Sequence, residues 1–148
     1  GGEENDIMRI KKIAPKNIIL HGFVPPGKVN KIRDKFDILL MPYKPGLSNP
    51  GSSIDTSRWM SPLKLFEYMS SGKAIISTDL PVIREVLNEN NSILVPYDLE
   101  SWVKKLDYLI KNEELREKLG NNAYEDFIRN YTWEIRANKI FSFLNYES

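Results

Sequence analysis

The sequence contains no cysteine and only one histidine. Without thiols the chain cannot form a disulfide framework or a thiolate metal site, which fits a reducing compartment and predicts a cytoplasmic protein. No apolar run approaches the roughly 20 residues that a membrane-spanning helix needs. An excess of one charge is also lacking, because 21 Lys and Arg against 20 Asp and Glu give a net charge of +1. This balance predicts no nucleic-acid partner, and it requires any anion site to be local.

The remaining composition is that of an ordinary soluble domain. The 148 residues are 41% hydrophobic and 28% charged, which is enough for one domain with a full core. The chain opens on Gly1 and Gly2 without an initiating methionine, so we expect it to be cut from a longer protein. A short basic stretch from Lys28 to Lys35 is the one feature that favours a membrane surface. It leaves peripheral association with the inner face of a membrane open.

Four short apolar runs alternate with helical patterns along the chain. The runs lie within Asn17–His21, Asp37–Met41, Ala74–Ile76 and Ile93–Val95. Consecutive apolar residues are typical of parallel strands covered on both faces, and their alternation with helices predicts an α/β fold with a parallel sheet. Helical periodicity after Asp98 predicts a helical C-terminal tail. Because ligands bind beyond the carboxyl ends of such strands, the loops that follow the four runs should share the ligand-binding edge.

The segment around Ser61 combines a helix start with a candidate anion site. Ser61 is a favoured N-cap residue, and Pro62 is suited to the first helical position. The first turn leaves the backbone N–H groups of Leu63 and Lys64 unpaired, and the helix dipole favours an anion there. Glu67, one turn further on, can accept two hydrogen bonds from vicinal hydroxyls. A phosphate beside a diol suggests a nucleotide, although Glu67 equally fits a solvated carboxylate paired with Lys64.

Three separated segments follow a known pattern in the right order. They are NIILHGFVPPGKVNKIRDKFDILLMPY, SPLKLFEYMSSGKAIISTDLPVIREVL and NEELREKLGNNAYEDFIRNYTWEIRANKI. Together they resemble the C-terminal, nucleotide-binding domain of GT-B glycosyltransferases, in particular the group-1 family (family 4) of retaining enzymes. The resemblance implies a Rossmann-like three-layer α/β/α domain over residues 1–148. It also implies that the N-terminal acceptor domain is absent from the chain.

The resemblance implies roles for individual residues. The donor-binding positions are Arg58, Ser61, Leu63, Lys64 and Glu67, and the turn beside the nucleotide base is Gly22, Phe23 and Val24. Among these, Glu67 contacts the ribose hydroxyls, and the backbone N–H groups of Leu63 and Lys64 hold the diphosphate. A first Glu that touches the donor sugar in relatives falls at position 59, where this sequence has Trp59. Donor-sugar recognition would then use Asp55, Arg58 or backbone groups.

The implied function is transfer of a sugar from a nucleotide-diphosphate donor to an acceptor, with retention and without a metal or cofactor. The acceptor would be a glycan or lipid-linked glycan bound through the absent domain, as in polysaccharide biosynthesis. No catalytic residue is identified, so we expect the chain alone to be inactive and to bind nucleotide weakly. The sugar, the base and the oligomeric state stay open.

Two alternatives share the nucleotide-binding architecture. One is a non-catalytic nucleotide-binding or partner-docking module, which Trp59 in place of the expected acid supports. The other is a GT-B nucleotide-sugar epimerase, which would need no acceptor.

Overall fold

The computed structural model describes residues 4–46 and 63–144. The chain divides into two compact units, Gly1–Lys35 and Phe36–Ser148. We call them the N-terminal unit and the sheet unit, and each is described by itself.

The N-terminal unit consists of two helices and their connection. Helix α1 spans Glu4–Ile13 and helix α2 spans Pro26–Arg33. The connection includes Gly22, whose φ of +66° lies in the left-handed region that favours glycine. The strand predicted over Asn17–His21 is wrong, since these residues form no strand and Ile19 is 77% exposed. A strand needs a hydrogen-bonded neighbour, and the described part of this unit contains no strand that could supply one.

The sheet unit is built on three parallel strands. Strand β1 spans Ile38–Met41, β2 spans Ala74–Thr78 and β3 spans Ile93–Val95, and their order in the sheet is β1-β2-β3. The register pairs Met41 with Ser77 and Thr78 with Val95, so all three strands end at one edge. The predicted α/β fold with a parallel sheet is therefore confirmed, as are three of the four predicted strands.

Five helices complete the described part of the sheet unit. They are α3 (Leu63–Met69), α4 (Pro81–Arg84), α5 (Leu99–Ile110), α6 (Glu113–Asn130) and α7 (Trp133–Leu144). Side-chain caps begin the last three, because Asp98 Oδ1 accepts from the Ser101 N–H at 2.8 Å and Asn112 Oδ1 from the Leu115 N–H at 3.0 Å. Thr132 Oγ1 accepts from the Ile135 N–H at 3.3 Å, so the predicted helical tail is confirmed.

Strand β2 is buried along its whole length and separates two apolar clusters. Ile75 packs with α3 and α4 residues, including Leu65, Met69 and Ile83. Ala74 and Ile76 alternate to the other face and pack with residues of α5 and α6, including Leu109 and Leu119. Because successive strand residues point to opposite faces, helices cover both sides of the sheet. This is the layered arrangement that the sequence predicts.

Helix α6 contacts the turn between α3 and β2 through a glycine. Gly72 ends the α3 segment with a φ of +64°, and Gly120 of α6 lies against its backbone. A β-carbon built on Gly120 would meet the Gly72 carbonyl oxygen and would lie 2.8 Å from the Gly72 carbonyl carbon. The absence of a side chain at Gly120 therefore sets how closely α6 approaches the sheet.

None of the helices described over residues 4–46 and 63–144 combines the length and hydropathy of a membrane span.

Candidate functional site

The carboxyl edge of the sheet brings together three chain segments. Met41, Thr78 and Val95 end their strands there, since the strands are parallel and in register. The residues that follow them, including Tyr43, Asp79 and Tyr97, therefore lie at one edge. The crevice outside this edge is where α/β sheets commonly bind ligands.

The first described turn of α3 lies at this same edge. The chain leaves β1 at Met41, on the carboxyl edge, and enters β2 at Ala74, on the opposite edge. Only four residues separate Met69, the end of helix α3, from Ala74, so the helix runs back across the sheet with its N-terminal end at the carboxyl edge. The topology thus directs the N–H groups of the first turn of α3 towards the ligand-binding side.

The two flanks of α3 differ in chemistry. Leu65 and Met69 are 1% and 0% exposed and anchor the helix on the core. Lys64 and Glu67 are exposed and lie three residues apart, which places them on one flank. Leu63 is also exposed. This flank can offer backbone donors and a cation to an anion, and a carboxylate to hydroxyl groups.

The remaining predicted site residues are placed differently. Arg58 and Ser61 lie outside the described residues, as do Asp55 and Trp59. The residues predicted beside the base, Gly22, Phe23 and Val24, belong to the N-terminal unit. There Gly22 makes the turn and Phe23 is 78% exposed, while Val24 is half-buried. Their role beside a base stays a prediction.

Tyr43 is a residue at this edge that the sequence reasoning missed. Its N–H donates to the Met41 carbonyl at 2.9 Å, and its ring packs against the apolar cluster around α3. Burial, and secondarily the nearby Tyr68, raise the pKa of the Tyr43 phenol. The hydroxyl therefore stays protonated at neutral pH and can both donate and accept. The only sequence signal was an aromatic residue just after an apolar strand.

An ion-pair network lies beyond β2. The Arg84 guanidinium contacts both carboxylate oxygens of Asp79, with Nη2 2.9 Å from Oδ2, and its Nη1 lies 2.9 Å from Glu89 Oε1. The hydrogen bonds from Arg84 lower the pKa of Asp79. A hydrogen bond from its own backbone, and then Arg84, lower the pKa of Glu89, while the two carboxylates raise the pKa of Arg84. Because Arg84 is already held by two carboxylates, it is a poor partner for a diphosphate.

Two further features lie at the carboxyl end of the sheet. A cavity of about 440 Å³ is lined by Leu40, Pro42, Tyr97, Asp98, Leu99 and Trp102, and most of these residues are apolar. Thr78 Oγ1 is the only buried side-chain polar atom without a hydrogen-bond partner in the described ranges.

No group of three His, Asp or Glu side chains in those ranges is arranged to hold a metal ion.

Comparison with known proteins identifies the family. Residues 3–142 match the model of a family described as glycosyl transferase-like. The chain belongs to this family. It is 28% identical over 117 residues to TuaH of Bacillus subtilis strain 168, whose name describes it as a teichuronic acid biosynthesis glycosyltransferase. That match covers 77% of this chain and 25% of TuaH.

Solved structures give the fold of this glycosyltransferase domain. Sucrose-phosphate synthase from Thermosynechococcus elongatus matches 97% of the chain with a TM-score of 0.72 and 16% identity. TarM matches 96% of the chain with a TM-score of 0.69 and 18% identity. The fold is that of the C-terminal domain of a GT-B glycosyltransferase. The chain spans 25% of the length of TuaH, 35% of sucrose-phosphate synthase and 26% of TarM.

Proposed function

We propose that this glycosyltransferase domain binds the nucleotide-diphosphate sugar donor, and that the full-length protein transfers the sugar to an acceptor with retention. The observation that carries the proposal is the placement of α3. Its first described turn lies at the carboxyl edge of the sheet, with Lys64 and Glu67 exposed on one flank. Family membership over residues 3–142 supports the reaction class.

Each part of the donor has a proposed partner. The backbone N–H groups of Leu63 and Lys64 bind the diphosphate, with Ser61 and Arg58 beside it, and the Lys64 ammonium adds a full positive charge. The Glu67 carboxylate accepts hydrogen bonds from the ribose hydroxyls. The turn formed by Gly22, Phe23 and Val24 lies beside the base. This assignment needs no metal or other cofactor.

The same groups would assist the chemical step. When the bond between sugar and diphosphate breaks, negative charge develops on the leaving diphosphate. Backbone donors and a lysine ammonium that are already in place stabilise that charge without reorganising during the reaction. We assign no nucleophile or general base, so we expect no turnover from this chain alone.

The acceptor and the compartment are proposed more broadly. TuaH is named for teichuronic acid biosynthesis, which favours polysaccharide biosynthesis as the process. The acceptor is then a glycan or lipid-linked glycan, and it binds through a part of the full-length protein outside these residues. We place the reaction in the cytoplasm. A chain without cysteine fits that reducing compartment.

Calorimetric titration of the chain with UDP, GDP and ADP tests donor binding. We expect one of the three to bind saturably with a dissociation constant of about 0.1–1 mM, a weak affinity because only part of the site is present. The matching nucleoside, which lacks phosphates, should bind more weakly still. If none of the three diphosphates binds saturably, the domain is better explained as a partner-docking module, which Trp59 in place of the expected acid favours.

A further inference from the structure

Two tyrosines lie at the carboxyl edge of the sheet, but on different faces. Tyr43 follows β1 by two residues and packs, like Met41, against the apolar cluster around α3. Tyr97 follows β3 by two residues and lines the cavity together with Leu40, which alternates with Met41 and so points to the other face. Of the two tyrosines, Tyr43 alone therefore shares a face of the sheet with α3, the helix that carries Glu67.

The backbone and the ring of Tyr43 both fix its position. Its N–H donates to the Met41 carbonyl at 2.9 Å, which turns the chain directly after β1. Its half-buried ring and that of Tyr68 pack against the same apolar cluster. Burial, and after it the proximity of Tyr68, raise the pKa of the Tyr43 phenol. The phenol is therefore neutral at pH 7.

Tyr68 connects this position to the exposed flank of α3. It directly follows Glu67 and lies four residues, about one helical turn, after Lys64. Long side chains of a helix lean towards its N-terminus, so the ring of Tyr68 leans towards the carboxyl edge of the sheet. The phenols of Tyr43 and Tyr68 therefore lie beside the flank to which we assign the donor.

The hydroxyl of Tyr43 is open to a ligand. In the described ranges it takes part in no hydrogen bond and is not a buried atom without a partner, so solvent reaches it. A neutral phenol both donates and accepts hydrogen bonds, which matches the hydroxyl group of a sugar. Asp79 follows β2 at the same edge but differs, because Arg84 already contacts both of its carboxylate oxygens.

We infer that Tyr43 is a specificity-determining residue of the donor site, and that its hydroxyl forms a hydrogen bond with a hydroxyl group of the nucleotide-sugar donor. That group belongs to the ribose or to the transferred sugar, which share this chemistry. The inference rests on the proposed function and adds a contact from the end of β1 to those assigned to α3. A site that binds a hydroxyl group in this way discriminates against ligands that lack it.

Calorimetric titration of Tyr43→Phe with UDP, GDP and ADP and with their glucose conjugates tests the inference. Phenylalanine keeps the packed ring and removes only the hydroxyl. We expect affinity for the nucleotide that binds the unaltered chain to fall about three- to tenfold, the size of one neutral hydrogen bond. A loss of affinity for the nucleoside diphosphate itself places the contact on the ribose. A loss confined to the glucose conjugate places it on the transferred sugar.

The matched control is Tyr97→Phe, which removes the same hydroxyl at the same edge but on the other face of the sheet. It should bind both ligands like the unaltered chain. Unchanged affinity of Tyr43→Phe for both ligands overturns the inference, and so do equal losses in the two variants. In either case, binding by the unaltered chain that weakens in Glu67→Gln still supports the proposed function. If the unaltered chain binds no nucleoside diphosphate, the proposed function fails and the inference fails with it.

Discussion

Replacing Gly120 with alanine is expected to destabilise the sheet unit by about 3 kcal/mol, the size of a severe overpacking change. Alanine is the better helix former by about 1 kcal/mol, so helix propensity alone predicts the opposite sign. The clash decides the outcome, because the new β-carbon would meet the Gly72 carbonyl oxygen and lie 2.8 Å from its carbon. Both atoms are backbone and cannot rotate away, so α6 must move off the turn before β2.

Urea unfolding followed by circular dichroism measures this change. The matched control is Asn121→Ala, which is the next residue of α6 and is exposed. It adds the same residue type to the same helix without a clash, so its unfolding midpoint should stay unchanged or rise slightly. A Gly120→Ala variant as stable as Asn121→Ala would show that α6 does not approach the Gly72 turn as described.

Replacing Glu67 with glutamine is expected to weaken nucleoside diphosphate binding by about tenfold. A carboxylate accepts charge-assisted hydrogen bonds from two ribose hydroxyls, and such bonds contribute about 1.5–3 kcal/mol each. The amide keeps the shape of the side chain but offers one neutral acceptor.

Calorimetric titration of paired variants checks the role of Glu67. Glu85→Gln removes the same charge from an exposed carboxylate beyond α4 and should bind like the unaltered chain. A 2′-deoxy nucleotide should bind the unaltered chain more weakly than the ribonucleotide, and Glu67→Gln should nearly erase that difference. Equal losses of affinity in Glu67→Gln and Glu85→Gln would show that the effect is general electrostatics and would contradict the ribose contact.

Local pattern was sufficient for elements whose signal lies within their own residues, such as an apolar run or a capping side chain. The apolar runs of β1, β2 and β3 predicted buried parallel strands, and Asp98 and Thr132 predicted the starts of α5 and α7. The run at Ile18 and Ile19 has the same composition but forms no strand, because a strand also depends on a partner that the pattern does not encode.

The candidate site, too, was predicted in part from local sequence and in part depends on contacts between distant residues. Sequence chemistry singled out Lys64 and Glu67, and the sheet topology explains why their helix begins at the ligand-binding edge. The pairing of Arg84 with Asp79 and Glu89 was missed, although an acid directly after a strand and an arginine five residues later were visible. Their contact depends on how the short α4 turns the chain.

A crystal structure of the chain soaked with the nucleoside diphosphate that binds most tightly tests the central claim most directly. The account predicts phosphate oxygens about 2.7–3.2 Å from the backbone nitrogens of Leu63 and Lys64, and ribose hydroxyls within hydrogen-bonding distance of the Glu67 carboxylate. A nucleotide bound elsewhere on the domain would contradict the account. So would backbone N–H groups of Leu63 and Lys64 that the protein's own side chains already occupy.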